Sequence, residues 1–464
     1  MNKSISLAGA ALLAAALGLA GCGGSSGGAA SGTNSGVTSG TASGTTGGAT
    51  VTGTPALALS LAAQVGQKMF FDISLSGSGR QSCASCHDPD HAYGPPNDLS
   101  VQLGGLDLKT QGQRAVPSLR YKEVTPAYAD LLDNPDGVSV PGPGGGLAWD
   151  GRATSLADQA SLPLLDPNEM ANVSGDAVVA KIRASAYADL FRQAFGANAL
   201  DNPTTAFASG AKALQAFQLE DPSFHPYSSK FDLYAGNKVG GSLTAAETRG
   251  LKLFSDPKGA NCASCHYQGA GLNGSAALFT DFSYEAISVP RNMRIAANRD
   301  PAYFEMGVCG PDRSDHPDAA DGSNKFCGLF KAPSLRNVAT RGSFFHNGVI
   351  HSLEQAIRFY NTRDTSPEIW YPTVGGTPKA TPDKNFPTYG LVTTQYVGGT
   401  VQKFDDLPAK YRANIDTQLP LDGRKAGSTP PMTDAQVSDL ICFLKTMTDG
   451  YQPSTQAASG ACVE

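Results

Sequence analysis

The pentapeptide Cys-Ala-Ser-Cys-His occurs twice, at 83–87 and at 262–266. In C-x-x-C-H, two thiols can bond the edge of a porphyrin while the following histidine ligates its iron from one side. A redox disulfide or a zinc site also uses C-x-x-C. Neither copy lies at the strand-to-helix start that a thioredoxin-like motif needs, and one zinc shared by both pairs would leave His87 and His266 without a task. The spacing therefore predicts two covalently bound c-type haems, one on Cys83 and Cys86 and one on Cys262 and Cys265. His87 and His266 are the expected iron ligands. The opposite face of each iron then decides the function, because an open face permits chemistry and a filled one only carries electrons.

Outside the motifs, histidines stand at 91, 225, 316, 346 and 351. His91 is too near His87 to swing round the ring, His225 precedes a proline in a linker-like stretch, and His316 lies in a polar loop. The first haem thus has no convincing distal histidine. For the second, HSLEQAIRFY reads as a helix with Leu353, Ile357 and Tyr360 on one face. By spacing alone Tyr360 is either a core aromatic or a ligand, and His346, His351, Met432 and Met447 are other possible ligands.

Helical patterns that could position these groups run over 55–71, 154–160, 175–195, 203–219, 243–254, 351–361 and 433–447. In SLTAAETRGLKLF, Ser242 or Thr244 is the expected N-cap and Glu247 is placed for a capping box. That helix leads into the second C-x-x-C-H much as LSLAAQVGQKMFF leads into the first, a weak internal repeat. With 53 glycines and 30 prolines, long irregular segments are expected between helices. The expected fold is mainly α: two cytochrome-c-like haem domains with long irregular loops, at 55–222 and 240–452, with the boundary near 222–241. The net charge of −6 gives no electrostatic footprint for nucleic acid.

The start of the chain, MNKSISLAGAALLAAALGLAGC, has a basic residue, a short apolar stretch and small residues before Cys22, so 1–22 reads as a signal peptide. Leu19-Ala20-Gly21-Cys22 resembles the lipobox of bacterial lipoproteins. It predicts a lipid-anchored protein on the periplasmic side of the outer membrane, with ordinary secretion as the alternative. Residues 23–54 are almost entirely Gly, Ser, Thr and Ala and read as a flexible tether. A disulfide between Cys309 and Cys327 would close a polar loop and suit an oxidising compartment. Cys442 and Cys462 are the other candidate pair, unless Cys442 is simply a small buried residue.

LAWDGRATSLADQASLPLLDPNEM, the two C-x-x-C-H motifs, KAPSLRNVATRGSFFHNG and MTDAQVSDLICFLKTM follow one another over roughly residues 60–450. Together they resemble the bacterial di-haem cytochrome c peroxidase and MauG superfamily. The resemblance implies a peroxidatic N-terminal haem and an electron-transfer C-terminal haem. It places Tyr360 where the peroxidases carry a methionine ligand and the MauG branch a tyrosine. Phenolate is a hard anion that favours oxidised iron, so such a haem would store an oxidising equivalent more readily than accept electrons from a small cytochrome. Leu103 stands where some members hold a distal histidine, which implies an open first haem.

The same resemblance gives Glu169 as the distal acid–base group, since splitting peroxide requires moving a proton from one oxygen to the other. Without it, Glu169 reads as a solvated carboxylate. Trp149 is implied as a relay between the haems, and otherwise reads as a packing residue. Arg152 reads as an ion-pair partner within its loop. Calcium, which many members hold between their domains, is not expected in the usual way: Ala115 replaces the asparagine ligand, and Arg341 puts a cation where the donor's side chain was neutral.

The expected function is a di-haem peroxidase or oxidase using hydrogen peroxide. It would act either on a partner protein or with a periplasmic electron donor. A non-catalytic electron-transfer cytochrome is the alternative class, and the open first haem and Glu169 speak against it. The insert at 362–416 has no plain peroxidase counterpart and could cover the second haem or dock a partner.

Overall fold

The computed structural model describes residues 58–271, 274–386, 390–453 and 462. The leader at 1–22 and the tether at 23–54 lie outside the described residues. The regular structure of the chain is mostly helical, with long irregular segments between helices. Its helices are α1 (Leu61–Phe71), α2 (Leu156–Leu165), α3 (Gly175–Ala184), α4 (Ala188–Phe195), α5 (Pro203–Glu220), α6 (Lys230–Ala235), α7 (Ala245–Ser255), α8 (Leu353–Thr362) and α9 (Asp434–Lys445). Sheet structure among the described residues is confined to two-stranded antiparallel ladders. They pair β1 (Leu103–Gly104) with β2 (Thr110–Gln111), β3 (Ala129–Leu132) with β4 (Gly142–Gly144), and β5 (Tyr284–Glu285) with β6 (Phe330–Lys331). In the 362–416 insert, β7 (Thr373–Val374) pairs with β10 (Thr400–Val401), and β8 (Thr377–Pro378) with β9 (Tyr396–Val397).

The helix starts follow their caps. Ser60 accepts from the Ala63 amide, and Thr244 and Glu247 make the expected capping box of α7. Three differences stand out, two of them with local causes. The run expected at 175–195 breaks where the Ser185 amide and hydroxyl both bond Ile182 O, diverting the backbone from the helix. Helix α2 continues past Pro163 instead of stopping near 160. The short α6, not anticipated, is set by a capping box between Ser229 and Asp232.

Buried apolar side chains gather mainly in two clusters. One draws on α1 to α5 and includes Phe70, Phe191, Phe217 and Phe224. The other draws on α6 to α9 and includes Phe254, Phe279, Phe359, Trp370 and Phe443. Burying each such ring is worth about 1.5–3 kcal/mol. The two clusters are built alike. In the first, α1 crosses α5 at Gly66, where a Cβ would come within 1.9 Å of Ala213 O. In the second, α7 crosses α9 at Gly250, where a Cβ would come within 2.1 Å of Asp439 O. Only glycine permits either approach. The weak repeat of helix, loop and C-x-x-C-H is therefore also a repeat of helix crossings.

Disulfides join Cys309 to Cys327 and Cys442 to Cys462. The four C-x-x-C-H cysteines are free thiols. Among the described residues, no helix is long and apolar enough to cross a membrane.

Candidate active site

Each C-x-x-C-H opens with a short 3-10 turn, Cys83–Ser85 and Cys262–Ser264, that follows its crossing helix. The turn brings the histidine amide onto the first cysteine's carbonyl, at 2.9 Å in both copies. Each imidazole is then fixed from behind. His87 Nδ1 donates to Tyr93 O at 3.1 Å, and His266 Nδ1 donates to Phe279 O at 3.0 Å. This leaves Nε2 as the nitrogen available to a metal in both rings. Burial pushes His87 down to about 4 and lowers His266 as well, so both are neutral and fit to ligate. Burial also raises Cys83 and Cys262 to about 12 and Cys86 to about 11, which keeps them as thiols.

The carbonyls that orient the imidazoles are held by a second repeat that sequence reading missed. Pro117-Ser118-Leu119-Arg120 and Pro333-Ser334-Leu335-Arg336 carry the same four residue types. The Leu119 amide donates to Tyr93 O and the Ser118 hydroxyl to Ala92 O. In the other copy the Leu335 amide donates to Phe279 O and the Ser334 hydroxyl to Leu278 O. Two identical tetrapeptides were the available signal.

Around His87 lie two adjoining hollows that share His87, Arg114, Gln159 and Glu169. Cys83, Cys86 and Leu103 line one, and Trp149, Lys122 and Lys331 line the other. Around His266 is a larger cavity, about 1830 Å³ including its part open to solvent, which also holds Cys262, Cys265 and Tyr360. The two C-x-x-C pairs thus serve separate cavities. Among the described residues, no group of three or more His, Cys, Asp or Glu side chains could hold a metal ion by itself. Sharing of one zinc is excluded by this separation. A haem brings its four equatorial nitrogens with it and needs from the chain only thiols and an axial imidazole, the donor set found at both places.

Glu169 follows α2 in a turn whose amide bonds Asp166 O at 3.1 Å, and its carbonyl accepts from the Gly105 amide at 2.8 Å. The β1–β2 ladder therefore fixes its backbone. Its side chain opens on the hollow it shares with His87, and the enclosing protein pushes its carboxyl up to about 7, with Asp166 and Asp312 adding to the rise and Arg152 opposing it. Gln159, one helix turn and a loop earlier, faces the same hollows and was not singled out from sequence. Arg114 makes an ion pair with Asp150 at 2.8 Å and donates to Glu305 at 2.9 Å. Arg152 bonds Asp150 and Asp312, each at 2.9 Å. Its expected ion-pair role is thus observed, in a network joining segments far apart in the chain.

Trp149 lines both the His87 hollow and the His266 cavity. Its indole donates to Ala115 O at 2.7 Å, and its carbonyl accepts from the Lys331 amide at 2.9 Å. Leu353, Ile357 and Tyr360 all face the His266 cavity, as their spacing on α8 requires. The Tyr360 hydroxyl has no hydrogen-bond partner among the described residues, and burial raises its pKa. His346 and Met432 line this cavity too, whereas His351 is held by Arg294 at 2.8 Å and, like Met447, does not. The insert contributes Asp416 to the same cavity and sends Trp370 and Tyr371 into the core beneath. Arg341 donates to Val116 O at 3.0 Å and to Ser343 O at 3.1 Å.

With its helical fold and paired C-x-x-C-H cavities, the chain belongs to the di-haem cytochrome c peroxidase and MauG family, and residues 60–239 match the family described as di-haem cytochrome c peroxidase. It is 33% identical over 411 residues to the methylamine utilization protein MauG of Paracoccus denitrificans, covering 86% of this chain and 92% of that one. It is 30% identical over 300 residues to a cytochrome c551 peroxidase of Nitrosomonas europaea, covering 64% of this chain and 71% of that one. Among solved structures it resembles the diheme peroxidase BthA of Burkholderia thailandensis, with a TM-score of 0.68 and 36% identity over 84% of this chain and 86% of that one. The chain is a peroxidase-type oxidoreductase, and its family implies two c-type haems, peroxide as substrate, and an electron donor or protein partner.

Proposed function

We propose that the protein is a lipid-anchored di-haem peroxidase facing the periplasm, in which two cytochrome-c-like domains at 55–222 and 240–452 divide the work. Cys83, Cys86 and His87 hold the peroxidatic haem, and Cys262, Cys265, His266 and Tyr360 hold the haem that stores or relays electrons. Bound haems would supply redox-active iron for the reaction with peroxide. Everything else falls to the chain. Tyr93 O and Phe279 O orient the two imidazoles. Glu169 takes a proton from the near oxygen of peroxide and returns it to the departing oxygen, a task suited to a carboxyl poised near neutral pH. Gln159 stands beside it to orient the incoming molecule. Leu103 lines the hollow beside His87 with a side chain that cannot ligate. Trp149 bridges the two cavities. Anchoring through Cys22 rests on the sequence of the leader, and the two disulfides support an oxidising compartment.

The observation that carries this reading is the separation of Glu169 from Tyr360: a proton carrier beside one C-x-x-C-H and an unpartnered phenol beside the other. Tyr360 favours oxidation of a partner protein, as its hard anionic oxygen would stabilise oxidised iron. Met432 on the same cavity favours the second reading, detoxification of peroxide with a small electron donor. The test is to incubate purified holoprotein with peroxide and periplasmic extract and to map new oxidations by mass spectrometry. New oxidised Trp or Tyr on another protein is expected. Peroxide turnover only with an added small cytochrome, and no such products, would overturn partner oxidation.

A further inference from the structure

Resting on the reading of two haems in these cavities, we propose that Lys122 and Lys331 form a shared seat for haem carboxylates, receiving propionates of both haems on the wall that contains Trp149. Both lysines line the His87 hollow and the His266 cavity. The placement matches the shape of the group. A c-type haem carries its thioethers on one edge and its propionates on the opposite edge. In the first site Cys83 and Cys86 line one hollow, the two lysines line the other, and His87 lines both. A ring fixed by the cysteines and centred on His87 directs its far edge towards the lysines.

The charges on this wall lack counter-ions. Lys122 has no hydrogen-bond or ion-pair partner among the described residues. Lys331 donates to Gly146 O at 2.5 Å but meets no carboxylate. The nearby Arg341 is held by backbone carbonyls alone. The adjacent acids are otherwise engaged: Asp150 by Arg114 and Arg152, and Glu123 by the Tyr227 hydroxyl at 2.7 Å. Buried cations are paired in stable proteins, because an enclosed charge without a counter-ion is costly. Burial pushes Lys331 down to about 7 and Lys122 to about 8, and each lysine lowers or is lowered by a neighbouring cation. Carboxylates arriving with the haems would reverse both effects. The acids on the His266 cavity, Glu285 and Asp416, stand with Cys265, whose thiol they raise, so they offer a propionate nothing.

A cation beside a haem edge favours the ferrous state, which carries the extra electron. Two shared cations therefore tie the potentials of both haems to one wall. The experiment uses holoprotein with Lys122→Met and Lys331→Met, each beside its arginine counterpart. Spectroelectrochemical titration reads the potentials, resonance Raman reads the propionate bending bands, and the pyridine haemochrome counts haems. Each methionine variant is expected to shift the ferrous–ferric equilibrium of both haems about tenfold towards ferric, a fall of about 59 mV for a one-electron couple. The propionate bands should move, and arginine should restore most of both changes. With two haems retained, ferrous–ferric equilibria within about twofold of wild type and unmoved propionate bands would overturn the seat. Movement of one haem alone would overturn its sharing. Fewer than two covalent haems in the wild type would instead sink the underlying reading. If a methionine variant does not fold, Lys→Gln and Lys→Arg provide the same comparison.

Discussion

Glu169 offers the most direct test of the proposed peroxidatic site. Its carboxyl rises from 4.5 to about 7, chiefly through burial. It is therefore neutral below about pH 7 and ionised above, and only the ionised form can accept a proton from peroxide. The rate of the peroxide reaction should rise with pH, falling about tenfold for each pH unit below 7, so that at pH 5 roughly a hundredth of the plateau remains. Glu169→Gln keeps the shape and removes the proton carrier. It should lower the plateau by about 10²–10⁴ and abolish the slope. The assay is stopped-flow mixing of fully oxidised holoprotein with excess peroxide from pH 5 to 8.5. Loss of the slope in the glutamine variant is what assigns it to Glu169. A slope that survives in Glu169→Gln would refute the assignment. Reaction only after one-electron reduction would refute the open face inferred from Leu103.

Tyr360→Phe should open the second iron and change its low-temperature EPR signals, and Tyr360→Met should raise that haem's potential; unchanged signals in the phenylalanine variant would return Tyr360 to the core. Gly250→Ala places a methyl against Asp439 O and should cost about 1–3 kcal/mol or more in thermal unfolding, with Gly66→Ala doing the same against Ala213 O. Equal stability of either variant would show that the crossings relax. Denatured wild type should keep two haems per chain in the pyridine haemochrome assay, and one or none would end the covalent reading.

The C-x-x-C-H motifs, the capped α7 and the apolar face of α8 were legible because each is carried by side-chain types at fixed spacing. Thr244 and Glu247 specify their box locally, and Leu353, Ile357 and Tyr360 share a face whatever they pack against. What stayed hidden depends on backbone atoms brought together from afar. Tyr93 O and Phe279 O orient the imidazoles, yet a carbonyl leaves no trace in residue identity, so the two Pro-Ser-Leu-Arg copies went unread. Gln159 was passed over because a glutamine on an amphipathic helix looks like any solvated residue. Lys122 and Lys331 look like surface charges until the fold turns them inward. The break at Ser185 depended on a hydroxyl choosing Ile182 O over water.

Pro117, Ser118, Pro333 and Ser334 belong to the partition between the two cavities, whereas Glu169 opens only on the His87 side and Tyr360 only on the His266 side. With the proposed division of roles, the two half-reactions would fall on different ground. A small oxidant meeting Glu169 and a bulky reductant approaching the Tyr360 side do not exclude one another, so either can arrive first. Steady-state rates should then lack the mutual inhibition seen when two reagents compete for one pocket.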